Sequence, residues 1–292
     1  MNQPIIITKE YVARHIRPRT ADSHKGTYGT LLTVCGSYGM AGAALLCARG
    51  ALRSGVGLLR AAVPQSVYPL LVDAIPEAVF VPVVEQNGCF SANAIPALTD
   101  ALTTADAVVV GCGMGRGEDQ TAVVRHLLSH STVPVILDAD GINAVTPHIL
   151  TEETRMAPLI VTPHPGEMAR LLGISTAEVQ ESRYEVACRL AREVNAVVVL
   201  KGHHTLVASP DGTVMENHTG NSGMATGGSG DVLAGLIGSL VAQGVSPYEA
   251  AVCGVYLHGA AGDLAARKHS EHGMLPTDLI EELCSLFLQF EK

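Results

Sequence analysis

Gly223-Met224-Ala225-Thr226-Gly227-Gly228-Ser229-Gly230-Asp231 runs directly into a helical pattern in which Leu233, Leu236, Ile237, Leu240 and Val241 recur at helical spacing. Gly244 stands where that helix must end. A glycine-rich turn that opens a helix exposes several backbone N–H groups at the positive end of the macrodipole. It can hold a phosphate, or a phosphoryl group in transit, without side-chain cations. Asp231 is placed to face the same hole, where its carboxylate can accept the proton of a hydroxyl attacking phosphorus. An isolated turn of this kind is often only a turn, with its acid capping the helix. Here four small residues and an acid are packed together behind a strand and a hairpin, which favours the catalytic reading.

Outward from this turn, apolar runs alternate with amphipathic stretches. Strands are predicted over 30–34, 58–63, 79–84, 107–110, 135–137, 159–161 and 196–200. Several are continuous and β-branched, as expected where both faces of a sheet are covered. Helices are predicted over 41–53, 92–104, 121–128 and 177–193, the last opened by Ser175-Thr176-Ala177-Glu178 with capping-box spacing. This alternation implies an α/β fold with a mostly parallel sheet and right-handed crossovers. After residue 200 the rhythm changes. Segments 205–208 and 213–216 flank Ser209-Pro210-Asp211-Gly212, a hairpin with an Asp-Gly turn. Three helices, 230–243, 247–268 and 277–287, then close the chain. No linker or repeat interrupts the pattern, so residues 1–292 read as one domain.

Composition narrows the partners. Hydrophobic residues make up 47% and charged residues 16%, enough for a large core. With aromatics at 4% and no Trp, that core must be built from Ala, Val, Leu and Ile, which lets helices approach a sheet closely. The net charge is −9 and the longest basic block is the pair Arg267-Lys268, so nucleic acid and anionic membranes are disfavoured as partners. The early charges Lys9, Arg14 and Arg17, with Pro18, leave no apolar signal core, and no run reaches the roughly eighteen apolar residues of a membrane span. Cys35, Cys47, Cys89, Cys112, Cys188, Cys253 and Cys284 form no CxxC pair. Free thiols in a reducing, cytoplasmic setting are expected.

Asn221 with Gly227-Gly228-Ser229-Gly230-Asp231 resembles the anion-hole signature of the ribokinase-like superfamily, whose usual Thr is here Ser229. Ser keeps the hydroxyl. Further blocks are similar to the NAD(P)H-hydrate dehydratases within it: His24-Lys25-Gly26-Thr27-Tyr28-Gly29, Gly36-Ser37-Tyr38-Gly39-Met40-Ala41-Gly42-Ala43-Ala44 and Arg53-Ser54-Gly55-Val56-Gly57. The likeness continues through Gly111-Cys112-Gly113-Met114-Gly115, Asp138-Ala139-Asp140, Thr162-Pro163-His164-Pro165-Gly166-Glu167 and Lys201-Gly202-His203-His204-Thr205. These blocks cover nearly the whole chain in the family's order. Cys112 departs from it, since members often carry Pro there.

The resemblance implies a ribokinase-like three-layer sandwich, its central sheet covered by helices on both faces. It implies that Asp231 is catalytic, that Gly227, Gly228, Ser229 and Gly230 form the anion hole, and that Ala43, Gly113, His164 and Asp231 contact hydrated NADH or NADPH (NADHX, NADPHX). Lys201, Gly202, His203, His204, Thr205 and Gly230 would hold the adenine nucleotide. ADP with Mg²⁺ is the implied phosphoryl donor, as in stand-alone bacterial members, and a homotetramer the implied assembly. The implied reaction phosphorylates the C6 hydroxyl of the S-epimer and eliminates phosphate, leaving AMP.

The blocks have physical readings of their own. Gly36 to Gly42 lead from a strand into a helix, so their backbone can approach a ligand. Gly111, Gly113 and Gly115 follow a strand at its carboxyl end, where open α/β sheets bind ligands. His164 sits between two prolines in a stiff loop, and Glu167 is a first-turn acid. Lys201 ends an apolar strand as a point charge for phosphate. His203 and His204 do not suggest a metal, because adjacent strand residues face opposite ways. His269, Glu271 and His272 read as a solvated loop, and no metal ligands emerge. Two other functions share these features. A vitamin-type small-molecule kinase would use Asp231 identically, and a non-catalytic nucleotide-binding regulator would keep the turn but not need the acid.

Overall fold

The computed structural model describes residues 4–152 and 155–290; the remaining positions of the 1–292 reading lie outside the described residues. Its strands are β1 (Ile5–Ile6), β2 (Thr30–Val34), β3 (Leu58–Pro64), β4 (Val79–Val83), β5 (Glu85–Gln86), β6 (Cys89–Phe90), β7 (Ala107–Val110), β8 (Val135–Leu137), β9 (Leu159–Val161), β10 (Val197–Leu200), β11 (Leu206–Ala208) and β12 (Val214–Glu216). Ten of them form one sheet in the order β1-β12-β11-β10-β9-β8-β7-β2-β3-β4, and β5 with β6 makes a separate hairpin. From β10 to β4 every pairing is parallel. The hairpin β11–β12 adds antiparallel strands beyond β10, and β1 closes that edge parallel to β12.

Strand periodicity explains why the apolar runs are continuous. In β7, Ala107 and Val109 enter one core while Val108 and Val110 enter the other. Helices Ala41–Arg53, Ser229–Ala242, Pro247–Gly273 and Pro276–Phe287 cover the first face, through residues such as Cys47, Ala234, Ala251 and Leu279. Ile95–Leu102, Glu118–His130, Pro165–Leu172 and Arg183–Glu193 cover the second, through Leu98, Val123, Met168 and Leu190. Two helix layers around a mostly parallel sheet are the three-layer sandwich expected from sequence.

Small residues bring helices 41–53 and 229–242 into backbone contact. A Cβ on Gly235 would lie 2.0 Å from the carbonyl oxygen of Cys47, and one on Gly50 would lie 2.8 Å from that of Val232. Gly235→Ala is therefore expected to cost about 1–3 kcal/mol by overpacking, read as a lower melting temperature. An unchanged melt would show that this contact is not tight. The contact matters because helix 229–242 begins at the glycine-rich turn.

Several expected boundaries shift. The helix expected over 177–193 is two, Thr176–Glu181 and Arg183–Glu193, because Ser182 (φ −130°, ψ 42°) leaves the helical region. The capping box between Ser175 and Glu178 is present. The segment 92–104 opens as a 3₁₀ turn before Ile95–Leu102, and 121–128 extends to Glu118–His130. The long helix from Pro247 reaches Gly273 only across Ser270 (φ 63°), where its regular turn breaks. β1 is too short to carry a period of its own; it pairs because Met215 and Glu216 present an open edge.

Candidate active site

Parallel strands deliver their carboxyl ends to one edge of the sheet, where the loops after β2, β7, β8, β9 and β10 meet the start of helix 229–242. The first two loops lock together. Gly36 N–H donates to the Cys112 carbonyl at 2.8 Å, and Ser37 Oγ donates to the Gly113 carbonyl at 2.8 Å. Gly113 has φ +61°, and a Cβ there would sit 2.7 Å from that of Ala43. Ala43 and Gly113, 70 positions apart in sequence, are thus neighbours, and only Gly fits the second position.

Lys201, at the end of β10, reaches across the strand ends. Its Nζ lies 2.7 Å from Asp138 Oδ1 and 3.9 Å from Glu167 Oε2. Asp138 also accepts from the Thr162 hydroxyl, and its side chain is only 2% exposed. Burial works against the Lys201 ammonium, but Asp138 and Glu167 outweigh it and raise its pKa. Burial raises that of Glu167 despite Lys201. A Cβ on Gly230 would lie 3.3 Å from Lys201 Nζ, so this cation stands at the helix start. Asp231 is partly buried, with a carboxylate oxygen within 4.8 Å of one on Asp138 and of the Cys112 sulfur. Burial, then the negative charge of Asp138, pushes its pKa up to about 7. That places a carboxylate base near neutrality.

No side chain caps helix 229–242, whose N-cap is Gly228 at φ +97°. The first N–H groups of a helix have no acceptor within it; Ser229 N–H makes a long bond of 3.4 Å to the Thr226 carbonyl, and the helix start is otherwise suited to an anion. His258, from the next helix, holds this start in place: its Nε2 lies 2.9 Å from the Ser229 carbonyl. Burial lowers its pKa to about 4, so the ring is neutral and donates through Nε2–H. Asn221 fastens the preceding loop, its Oδ1 accepting from Gly223 N–H at 3.0 Å and its Nδ2 donating to Asp263 at 3.1 Å.

His164 has a local duty as well. Its Nδ1 accepts from Gly166 N–H at 3.0 Å, while Glu167 Oε2 accepts from His164 N–H at 2.8 Å, a reciprocal cap on helix 165–172. The imidazole stays half exposed with Nε2 at 3.4 Å from Glu167 Oε1. Past Lys201, Thr205 Oγ1 donates to the Gly202 carbonyl at 3.0 Å and closes a turn. The expectation that His203 and His204 face opposite ways is not met. The strand stops at Leu200 and His204 has φ 55°, so the two rings stack at 3.9 Å. His204 then stacks on His218 at 4.2 Å beside Glu216. Lys201, Gly230 and Asp231 therefore share one floor, while His203 and His204 are exposed with His218.

Asp138 stands in the block Asp138-Ala139-Asp140, and its local signal is that of an acid directly after an apolar strand. His258 and Asp263 lie inside a helical pattern with nothing to distinguish them locally; their partners are 29 and 42 residues away.

A mostly parallel sheet between two helix layers, with helix N–H groups open to an anion at its carboxyl edge, is the architecture of the ribokinase-like α/β class. The sequence profile of the NAD(P)H-hydrate dehydratase family matches residues 31–285, and the chain belongs to that family. It is 39% identical over 291 residues to the ADP-dependent (S)-NAD(P)H-hydrate dehydratase of Bacillus subtilis, covering all of both chains. The crystal structure of the ADP/ATP-dependent NAD(P)H-hydrate dehydratase from that organism, co-crystallised with ATP and Mg²⁺, superposes with a TM-score of 0.87 at 38% identity over the full length of both. A ribokinase-like superfamily protein from Enterococcus faecalis gives a TM-score of 0.86 at 26% identity, over 99% of this chain and 97% of that one. Against the bifunctional NAD(P)H-hydrate repair enzyme of Moorella thermoacetica the identity is 43% over 95% of this chain, which spans 53% of that longer protein. Among the described residues no helix is long and apolar enough to cross a membrane.

Proposed function

We propose that residues 1–292 act as one domain that dehydrates the S-epimer of hydrated NADH and NADPH, using ADP as phosphoryl donor. Asp231 carries this reading: a partly buried carboxylate with a pKa of about 7 at an uncapped helix start. It accepts the proton of the C6 hydroxyl as that oxygen attacks phosphorus. The amides of Gly227, Gly228, Ser229 and Gly230 hold the charge that develops on the transferring group. Phosphate then leaves as the ring-nitrogen lone pair moves in, and loss of the C5 proton restores the double bond. AMP and phosphate are the other products. The name of the Bacillus subtilis relative supports both the substrate and the donor.

Ala43, Gly113 and His164 are the proposed contacts to the hydrated dinucleotide. Lys201, Gly202, His203, His204, Thr205 and Gly230 are those to ADP, with Lys201 as the cation nearest the helix start. Asp138 and Glu167 supply hard oxygen donors at the floor, which suits magnesium held jointly with nucleotide phosphates. Bound there, the ion would spread the charge of the phosphate in transfer.

The test is recovery of reduced-nicotinamide absorbance from purified hydrated NADH, with magnesium and ADP, ATP or neither. Recovery with ADP is expected. Nucleotide binding without recovery would instead support a kinase whose phosphorylated product is stable. His164→Ala is expected to raise KM for hydrated NADH several-fold more than KM for ADP, and to cost about 1 kcal/mol of stability as the cap is lost. Equal KM for both substrates, relative to the parent, would remove His164 from the dinucleotide subsite.

A further inference from the structure

Three cysteines from separate elements meet beneath the catalytic aspartate. Cys35 follows β2, Cys47 lies on helix 41–53 and Cys112 follows β7; all three are fully buried. Their sulfurs lie within 4.8 Å of one another. Cys112 belongs to a second group too, its sulfur being within 4.8 Å of carboxylate oxygens of Asp138 and Asp231. It donates to Asp138 Oδ2 at 3.5 Å.

Tetrahedral zinc with Zn–S bonds of about 2.3 Å holds its sulfurs ~3.8 Å apart, so movements of about 1 Å or less would close this triad on an ion. Thiolates select soft, d¹⁰ cations, whereas magnesium takes oxygen donors, so the ion of the reaction does not compete here. We propose that Cys35, Cys47 and Cys112 form a binding site for a thiophilic cation of the zinc type, with Asp231, whose carboxylate lies within 4.8 Å of the Cys112 sulfur but outside the triad, turning in as the fourth ligand. Asp231 is only partly buried and is the member of this set that reaches solvent, whereas the three cysteines are fully buried. Three thiol protons leave to solvent as three metal–sulfur bonds and one metal–oxygen bond form. Lys201, 2.7 Å from Asp138, offsets part of the negative charge that accumulates. An occupied site removes the base, so filling it inhibits; this consequence rests on the role proposed for Asp231, whereas binding itself does not.

His204, Glu216 and His218 also lie within 4.8 Å of one another. The rings of His204 and His218 are stacked only 4° from parallel, so their lone pairs run side by side rather than converging, and that group is the weaker candidate.

The experiment titrates Cd²⁺ into reduced, chelator-treated protein in the presence of magnesium. Sulfur-to-cadmium charge-transfer absorption and dehydratase activity are followed together in the parent, Cys47→Ala and Cys35→Ala. One equivalent should produce the band in the parent, with affinity reduced roughly tenfold or more in each variant. Activity should fall in step with the band in the parent and resist the same cadmium in Cys47→Ala. Thermal melts establish that the variants are folded, and either one suffices. No band at stoichiometric cadmium, or an equal affinity in a folded variant, overturns the site. A band in a protein inactive on hydrated NADH from the outset would leave the site standing and remove the proposed function instead.

Discussion

Asp231→Asn is expected to lower kcat by about 10²–10⁴-fold while leaving the affinity for ADP almost unchanged. The amide keeps the shape of the carboxylate but cannot accept a proton from the attacking hydroxyl, and the backbone N–H groups at Gly228 to Gly230 are untouched. Because burial and Asp138 push the Asp231 pKa up to about 7, parent activity should rise with pH through neutrality and level off above it. The residual activity of the variant should lack that inflection. Stability should move the opposite way. A carboxyl whose folded pKa is raised favours the folded state below its unfolded pKa, and that contribution is lost as pH rises through about 7. At pH 8 the parent carries the cost of a buried charge, and Asp231→Asn should melt higher, by a few kcal/mol at most. Full activity in the variant would sink the assignment; a lower melt at pH 8 would show that the carboxylate is well solvated.

Lys201→Met is expected to destabilise the fold by about 3–5 kcal/mol, since it leaves Asp138 as a buried charge without its partner at 2.7 Å. Lys201 also lowers the pKa of Asp231, so the activity that survives should need higher pH than in the parent. Denaturant unfolding and a pH profile read the two effects separately. Replacing both partners, as Lys201→Met with Asp138→Leu, should recover part of the lost stability, because Asp138 no longer stands unpaired and only Glu167 still lacks the lysine. A double variant as unstable as the single one would show that the loss comes from packing around the lysine stem. Together these variants separate the proposed roles of the charges: Asp231 in the reaction, at little structural cost, and Lys201 with Asp138 in holding the floor on which it stands.

Much of the fold was legible because its signals are local. The runs at 107–110 and 135–137 are strands wherever they fold, since continuous β-branched residues suit a sheet buried on both faces. The start of helix 229–242 was legible for the same reason: glycines followed by a 3.6-residue apolar period specify an open helix N-terminus from one short window. Asp231 inherits its position from that window. Boundaries were less legible where one residue's backbone decides them. Ser182 splits a continuous amphipathic pattern, and φ 55° at His204 turns a strand-like pair of histidines into a stack.

Neighbouring residues specify the set of elements, the covered parallel sheet and the glycine-rich helix start with its acid. Which strand ends stand side by side is settled instead by long-range packing. Lys201 meets Asp138 across 63 residues, His258 meets Ser229 across 29, and three cysteines on different elements converge under Asp231. Those meetings follow from strand order and from helices drawn together at Gly50 and Gly235, and no local period encodes either. The near-neutral pKa of Asp231 is decided at the same level, because it depends on burial and on the charge of Asp138 carried there by another strand.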